Sequence, residues 1–319
     1  MAKRPFAQSH PVWYSIAKIA LGTLATILTP IIGFFLLMGL ILFALGDGES
    51  LGTDANVAVI PLKGTIVGDR QSSFGFDGVA SSDVVALIEK ADKEDDIKAI
   101  IFDINSGGGS AVASAEIVDA VQKAEKPTVA VIRETGASGA FWIATSADTV
   151  FAHPLSVTGS IGVISSYLEF SGLLDRYNVT YQRLIAGSHK DTGSPYKKLT
   201  DEERGLLQGK IDIIHDAFIS SVATNRGLAP EKVRAVADGF IMLGTEAKEQ
   251  GFVDQLGTME DAKDYLGAQL NITVETKVYK KEAGLLEMFS QVAVQPFYFV
   301  GRGVGDSLTQ VRNQGVPIV

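Results

Sequence analysis

Three glycine-rich turns contain the residues whose types and spacing suit them to chemistry. They are residues 105–110 (NSGGGS), 136–140 (GASGA) and 158–162 (TGSIG). The first two directly follow apolar runs, 99–104 (AIIFDI) and 128–132 (TVAVI), whose β-branched residues predict buried strands. Ligands of an open parallel sheet bind where loops leave the carboxyl ends of the strands. We therefore expect these two turns to form one site.

Ser138 is the candidate nucleophile, because it lies between small residues at a predicted strand-to-helix turn. Such a turn exposes the hydroxyl and directs the next backbone N–H, that of Gly139, at the same reacting atom. Residues 107–109 offer a second N–H, and two such donors make an oxyanion hole. The pattern is also typical of non-catalytic turns, and NSGGGS resembles a phosphate-binding loop that lacks its lysine. The turn residues alone leave these readings open.

The elements around the turns predict one α/β domain over residues 56–280. A further strand is predicted at 57–62, and helical spacing is found at 82–91 and 113–124. Strands alternating with helices indicate right-handed βαβ units and a parallel sheet.

A long helix is predicted to begin at the capping box of Thr200 and Glu203 and to end at Gly227. Its apolar face is expected to consist of Leu207, Ile211, Ile214, Phe218 and Val222. The run 162–167 (GVISSY) looks like another strand, and two short helices are expected at 230–237 and 245–249.

Composition excludes several classes of site and partner. The 319 residues include no cysteine, so disulfides, thiolate nucleophiles and cysteine metal sites are impossible. The formal charge of −9 and the absence of a basic stripe argue against nucleic acid. The four histidines show no metal-ligand spacing. We expect neither a metal nor a cofactor.

The N-terminal part predicts a membrane anchor. Residues 19–45 are apolar and uncharged, and a helix needs about 20 such residues to cross a bilayer. The run is longer than the apolar region of a cleaved signal peptide, the competing interpretation. Basic residues precede it and acidic residues follow it, which places residues 1–18 in the cytoplasm. Residues 46–55 are then a linker, and the catalytic domain lies outside the cell membrane.

The C-terminal tail, residues 281–319, is more apolar than a free terminus should be. Glu287, Gln291 and Pro296 interrupt it, so it is too broken for a second membrane span. We expect it to be an arm that packs on a partner in an assembly.

Four ordered motifs resemble a known family. The segments INSGGGS, GASGAFWIA, TGSIGV and AGSHKDTGSPYKKLTDEER resemble the signal peptide peptidase A (SppA) family of Ser–Lys peptidases, peptidase family S49. The resemblance covers residues 57–266 and implies a Clp/crotonase-like spiral core with a parallel sheet and flanking helices. The chain departs from the family pattern at Gly107, where a proline is usual, and at Ala140, where a second glycine is usual.

The resemblance implies a role for each matching residue. Ser138 is the nucleophile, Lys190 is the general base, and Ser160 orients the lysine. Gly139 supplies one oxyanion donor and the glycine loop supplies the other, with Gly108 favoured over Gly109.

The proposed base must be an uncharged amine. A lysine of ordinary pKa, near 10.4, is protonated and cannot accept the serine proton. Lys190 must therefore be desolvated or otherwise discouraged from charging. Asp191 is its neighbour and would oppose this, so we expect the Asp191 carboxylate to point away from Lys190.

The function implied is a membrane-anchored serine endopeptidase that cuts apolar peptides such as cleaved signal peptides. The family's short members resemble each other in forming homo-oligomeric rings whose Ser and Lys come from neighbouring protomers. Two alternatives are a crotonase-like acyl-CoA enzyme and a catalytically inactive membrane scaffold. A third is a Ser–His pair with His153, for which the sequence shows no well-placed aspartate.

Overall fold

A computed structural model describes residues 11–45, 55–69 and 78–280 of the chain. They form two units, divided between residues 53 and 54. The first contains one helix, α1 (Pro11–Leu45), over the predicted anchor. Within the described ranges, however, no helix combines the length and hydropathy that a membrane crossing requires. The structure therefore does not support the predicted transmembrane helix, and the tail at 281–319 lies outside the described residues.

The second unit is built on a mostly parallel sheet with strand order β10-β1-β4-β5-β6-β9. Its strands are β1 (Val57–Lys63), β4 (Ala99–Ser106), β5 (Thr128–Gly136), β6 (Thr149–Ala152), β9 (Gln255–Leu256) and β10 (Thr276–Val278). Two further strands lie off this path: β7 (Val157–Gly159) pairs with β5, and β8 (Ile241–Leu243) pairs antiparallel with β7. The strands β2 (Thr65–Val67) and β3 (Gly78–Ala80) form a separate two-stranded sheet. The predicted α/β class with a parallel sheet is confirmed.

Helices cover both faces of the sheet. They are α2 (Ser81–Lys93), α3 (Ala111–Lys123), α4 (Gly139–Thr145), α5 (Ser171–Arg176), α6 (Asp201–Arg226), α7 (Pro230–Arg234), α8 (Gly244–Gln250) and α9 (Met259–Leu270). Alternate residues of β4 enter different layers, because side chains alternate across a strand. Phe102 joins the large core under α2, α3 and α4, whereas Ile101 joins the smaller core under α9.

The pairing of β4 with β5 brings the first two glycine-rich turns together. The two strands run parallel, and their register shifts between Ile104 and Ser106, so that Ser106 lies opposite Gly136. The Asn105 side chain accepts a hydrogen bond from the Thr135 N–H at 3.2 Å across this shift. Both strands therefore end at the same level of the sheet edge.

The long helix α6 begins and ends where the sequence predicts. Its N-terminal capping box is formed by Thr200 and Glu203, and Gly227 ends it in the left-handed region at φ 61°. The expected apolar face is only half right: Phe218 and Val222 are buried, but Ile214 is 37% exposed. The C-terminal half of α6 packs on the core, while its N-terminal half leaves it.

The strand predicted at 162–167 is wrong, since these residues form neither strand nor helix. Ile164 is 90% exposed, and residues 163–170 have no neighbouring strand in the described structure. Alternation of apolar residues predicts a strand only where a sheet is present to pair with it.

Two glycines provide a matched test of the packing. A Cβ at Gly244, the first residue of α8, would lie 2.1 Å from the His153 carbonyl oxygen, whereas one at Gly205 in α6 would meet nothing within 4 Å. We expect Gly244→Ala to lower the free energy of unfolding by about 1–3 kcal/mol, because it overpacks the site. Gly205→Ala should raise it by roughly 0.5–1 kcal/mol through helix propensity. Urea denaturation of both variants measures the difference; equal effects would contradict the packing described.

Candidate active site

Ser138 occupies a strained turn between β5 and α4. Its φ of 53° and ψ of −126° lie where side-chain-bearing residues are rarely found, and such a conformation costs on the order of 1–3 kcal/mol. The turn is held on both sides: the Ser138 N–H donates to the Gly159 carbonyl at 2.8 Å, and the Trp142 N–H donates to the Ser138 carbonyl at 2.9 Å. Strain at a strand-to-helix turn is typical of a nucleophile whose hydroxyl must be presented.

The glycine-rich loop after β4 lies against this turn. Gly108 has φ +95°, and a Cβ on it would lie 2.6 Å from the Gly139 nitrogen and 3.0 Å from the Ser138 Cβ. Because no side-chain carbon fits there, Gly108 must be glycine for the two backbones to approach this closely. The structure thus brings together the two turns that the sequence assigns to one site.

The hydrogen bonds of the loop decide which N–H groups are available. The Gly108 N–H donates to the Ser106 hydroxyl at 3.1 Å and is already engaged. The Gly109 and Gly139 N–H groups find no acceptor in the described part of the chain. The Gly109 nitrogen also lies 3.4 Å from the place where a Gly139 Cβ would stand. The geometry therefore favours Gly109 over Gly108 as the partner of Gly139.

Two serines that sequence reasoning missed support the loop. The Ser106 hydroxyl donates to the Gly64 carbonyl at 2.5 Å while accepting from Gly108. Ser114 is fully buried, donates to the Ser110 carbonyl at 2.9 Å and packs so closely on Gly139 that a Cβ there would lie 2.3 Å from its hydroxyl. The sequence shows Ser106 only as part of NSGGGS, and nothing in it marks Ser114.

Ser160 lies beside the Ser138 turn, in the segment that follows β7. Its φ is 52°, its hydroxyl donates to the Gly239 carbonyl at 3.2 Å, and its N–H donates to the Phe240 carbonyl at 2.8 Å. The next residue, Ile161, has its carbonyl 3.2 Å from the His215 ring nitrogen on α6. The hydroxyl predicted to orient the lysine thus belongs to the residue after Gly159, which binds the Ser138 N–H, and it is itself bonded to backbone.

Lys190 lies in an exposed turn, where its N–H donates to the Gly187 carbonyl at 3.2 Å. Its side chain forms no hydrogen bond or ion pair within the described ranges, and neither does the Ser138 hydroxyl. Among the described residues, the structure therefore brings Ser138, Ser160 and the glycines together but shows no hydrogen bond or ion pair that joins Lys190 to them.

Glu203 anchors the segment that carries Lys190 to the start of α6. Its carboxylate pairs with Lys197 and accepts hydrogen bonds from the Thr192 hydroxyl and the Thr200 N–H, both at 3.1 Å. The Lys197 hydrogen bond first, and the Thr200 N–H second, lower the pKa of Glu203 from 4.5 to about 2. Glu203 is therefore ionised throughout the working pH range.

The other candidates have structural surroundings. His153 is exposed and its ring nitrogen accepts the Leu155 N–H at 3.2 Å, so the structure shows no Ser–His pair. Phe141 and Trp142 are buried packing residues. The described residues contain no group of three or more acidic or histidine side chains placed to hold a metal.

Comparison with known proteins identifies the family. The family model described as peptidase family S49 matches residues 120–273, and the Clp protease model matches residues 75–158. A provisionally named protease of Methanocaldococcus jannaschii is 30% identical over 92% of this chain and 94% of its own length. A provisionally named signal peptide peptidase, SppA, of Enterococcus faecium is 32% identical over 73% of this chain and 70% of its own length. The chain belongs to peptidase family S49.

Membership makes the chain a protease, and it confirms the resemblance seen in the four motifs. Protease 4 of Haemophilus influenzae is also similar, at 29% identity over 72% of this chain and 37% of its own length. The S49 match contains Ser138, Ser160 and Lys190, and the Clp protease match contains the glycine loop together with Ser138.

Two adjacent glycines test the loop geometry. A Cβ on Gly108 would crowd the Gly139 N–H, whereas one on Gly107 would meet nothing within 4 Å. We expect Gly108→Ala to lower kcat/KM for peptide hydrolysis by about 10²–10³, the usual cost of losing one oxyanion donor. Gly107→Ala should stay within a few-fold of the unmodified protein. Steady-state kinetics measures kcat/KM, and thermal unfolding verifies that each variant is folded. Equal losses of kcat/KM in the two variants would contradict the role given to the close approach of Gly108 to the Gly139 N–H.

Proposed function

We propose that the chain is a serine endopeptidase in which Ser138 is the nucleophile and Lys190 the general base. The observation that carries the proposal is the strained Ser138 turn beside the N–H groups of Gly109 and Gly139, which have no acceptor among residues 11–45, 55–69 and 78–280. Preorganised hydrogen-bond donors that stabilise the developing oxyanion are usually the largest single contribution to catalysis of acyl transfer.

The reaction follows from these positions. The neutral Lys190 amine takes the Ser138 proton as the hydroxyl oxygen attacks the peptide carbonyl. The Gly109 and Gly139 N–H groups bind the resulting oxyanion. The Lys190 ammonium then protonates the departing amine, and water, activated by the same lysine, hydrolyses the acyl-enzyme. Ser160 orients the lysine in this scheme, which requires its hydroxyl to turn from the Gly239 carbonyl.

Two copies of the chain are proposed to share each site. Lys190 lies in the segment that Glu203 holds at the start of α6. Further along α6, His215 forms a hydrogen bond with the carbonyl of Ile161, the residue after Ser160. His215 is twelve positions after Glu203 along α6, which corresponds to about 18 Å at roughly 1.5 Å per residue. The intervening surface of α6 is mostly exposed. This geometry favours Lys190 reaching the Ser138 of a neighbouring copy.

Exposed apolar side chains support an assembly. The segment 163–185 precedes Lys190, and Ile164 and Leu184 in it are 90% and 99% exposed. Surfaces of this kind on a single chain mark interaction sites. We propose that neighbouring copies cover this segment in a homo-oligomeric ring and that the tail, 281–319, contributes an arm.

The proposed substrates are apolar peptides such as cleaved signal peptides. The support is the family resemblance and the name of the E. faecium relative. Attachment to the cell membrane through residues 19–45, with the catalytic domain outside, rests on the uncharged run and its flanking charges alone.

The catalytic assignment is tested by two variants and a probe. Ser138→Ala and Lys190→Ala should each lower hydrolysis of an apolar fluorogenic peptide by at least ~10³, since nucleophile and base act as one unit. A fluorophosphonate should label Ser138 in the unmodified protein. Retained peptidase activity in either variant would contradict the dyad. Turnover of an acyl-CoA thioester without peptide cleavage would favour the crotonase-like alternative, and no labelling with no turnover would favour an inactive scaffold.

Sharing of the site is tested by co-expressing the two inactive variants. In mixed assemblies about a quarter of the sites combine an intact Ser138 with an intact Lys190 from the neighbour, so about a quarter of the activity should return. Co-expression of Ser138→Ala with the double variant, which lacks both groups, is the control and should stay inactive. Absence of recovery in mixed assemblies would place both groups of each site in one chain.

Membrane attachment is tested on the full chain and on a reporter fusion. The full chain should remain with membranes after alkaline carbonate extraction, and a reporter fused after residue 50 should be active only outside the cytoplasm. Release of the full chain by carbonate would remove the anchor from the proposal, and cytoplasmic reporter activity would reverse the orientation.

A further inference from the structure

The segment that carries Lys190 contains a closed set of ion pairs. The Asp191 carboxylate pairs with both Nε and Nη2 of Arg183, the latter at 2.6 Å, and with Lys197 at 3.4 Å. Lys197 pairs in turn with Glu203, which is buried. Two cations and two carboxylates make up this set, so it carries no net charge.

These pairs hold the chain on both sides of the turn. Arg183 reaches the Ser188 carbonyl at 3.4 Å, ahead of Lys190. Thr192, two residues after Lys190, donates from its hydroxyl to Glu203 at 3.1 Å. The Lys190 backbone is thus held between two braced points, while its side chain extends without a partner in the described structure.

Asp191 would otherwise work against the base. A free carboxylate next to an amine favours the ammonium form, because the opposite charges attract. Here the Asp191 carboxylate is turned to Arg183, and the hydrogen bond from Arg183 lowers the pKa of Asp191. The expectation that this carboxylate points away from Lys190 agrees with these contacts.

Other charges near the segment are also engaged. His189 lies 3.7 Å from Glu202 on α6. Hydrogen bonds from Ser171, and to a smaller extent the charge of Lys198, lower the pKa of Glu169. Asp191 is the carboxylate next to Lys190 in the sequence, and its partners are Arg183 and Lys197.

We propose that Arg183, Asp191, Lys197 and Glu203 form an ion-pair network that positions Lys190 and keeps Asp191 from pairing with it, which rests on Lys190 being the base. These four are positioning residues, since they act through the lysine. Arg183 is the decisive member, because its guanidinium donates a hydrogen bond to Asp191 Oδ1 and forms an ion pair with Oδ2.

The experiment compares the acid limb of the kcat/KM–pH profile, the pH range in which the base loses its proton, in three variants. Arg183→Met leaves Asp191 with Lys197 as its remaining partner in the network and should move the limb to higher pH. Asp191→Asn leaves Arg183 unpaired near Lys190 and should move it to lower pH. Shifts of roughly 0.5–1 unit are expected, below the ~1–3 units of an unscreened close pair. The double variant should return close to the unmodified profile, and both shifts should shrink in high salt.

Controls separate this inference from the proposed function. Arg183→Lys keeps the charge but loses the fork, so it should move the limb less than Arg183→Met does. His189→Gln should keep the limb, which would exclude the neighbouring histidine as its source. Arg234→Met removes an exposed ion pair with Asp216 (2.8 Å) outside the network and should also keep the limb. If Arg183→Met does not fold, the shift of Asp191→Asn decides.

Equal losses at every pH, with an unmoved limb in both single variants, would overturn the network's electrostatic role while leaving the dyad intact. If instead Lys190→Ala retained the activity of the unmodified protein, the proposed function itself would fail, whatever the limb does.

Discussion

The site depends on the close approach of two backbones, the loop after β4 and the turn after β5. Neighbouring parallel strands lie only about 5 Å apart, so loops that leave them at the same level must share space. The register shift that places Ser106 opposite Gly136 sets that level. Gly108 then fits only without a side chain, and the strained Ser138 turn is held against it by the Gly159 carbonyl. The consequence, within the part of the chain that the structure describes, is that the Gly109 and Gly139 N–H groups have no acceptor beside the Ser138 turn.

Helix α6 connects the two halves of the proposed chemistry. Its C-terminal part packs on α4, the helix that follows Ser138, where the Phe218 and Trp142 rings stack with centroids 4.7 Å apart and the Trp142 indole donates to Ser221 at 2.7 Å. Its N-terminal end holds the Lys190 segment through Glu203. A helix is stiff over this length, and this stiffness is part of the support for the proposed sharing of sites between copies. Shared sites would make each copy inactive until assembled.

The elements of the core could be predicted well, because strands buried on both faces read as continuous apolar runs and caps mark helix ends. The segment 162–167 misled for a physical reason: its apolar residues suit a strand, but no sheet edge lies beside it. The apolar face predicted for α6 was wrong in its N-terminal half, because that half does not pack on the core. Apolar periodicity indicates which face of an element tends to be buried, but it does not show whether the same chain or another one buries it.

The sequence by itself determined the α/β class, the place of Ser138 at a strand-to-helix turn and, through four ordered motifs, the peptidase family. These follow from local patterns and their order along the chain. Only the tertiary structure decided that Gly108 donates to Ser106, that Asp191 is held by Arg183, and that, among the described residues, the Gly109 N–H has no acceptor and Lys190 forms no hydrogen bond with Ser138. Hydrogen-bond partners and burial depend on elements distant in sequence, and three identical glycines in a row carry no local information about which N–H is free.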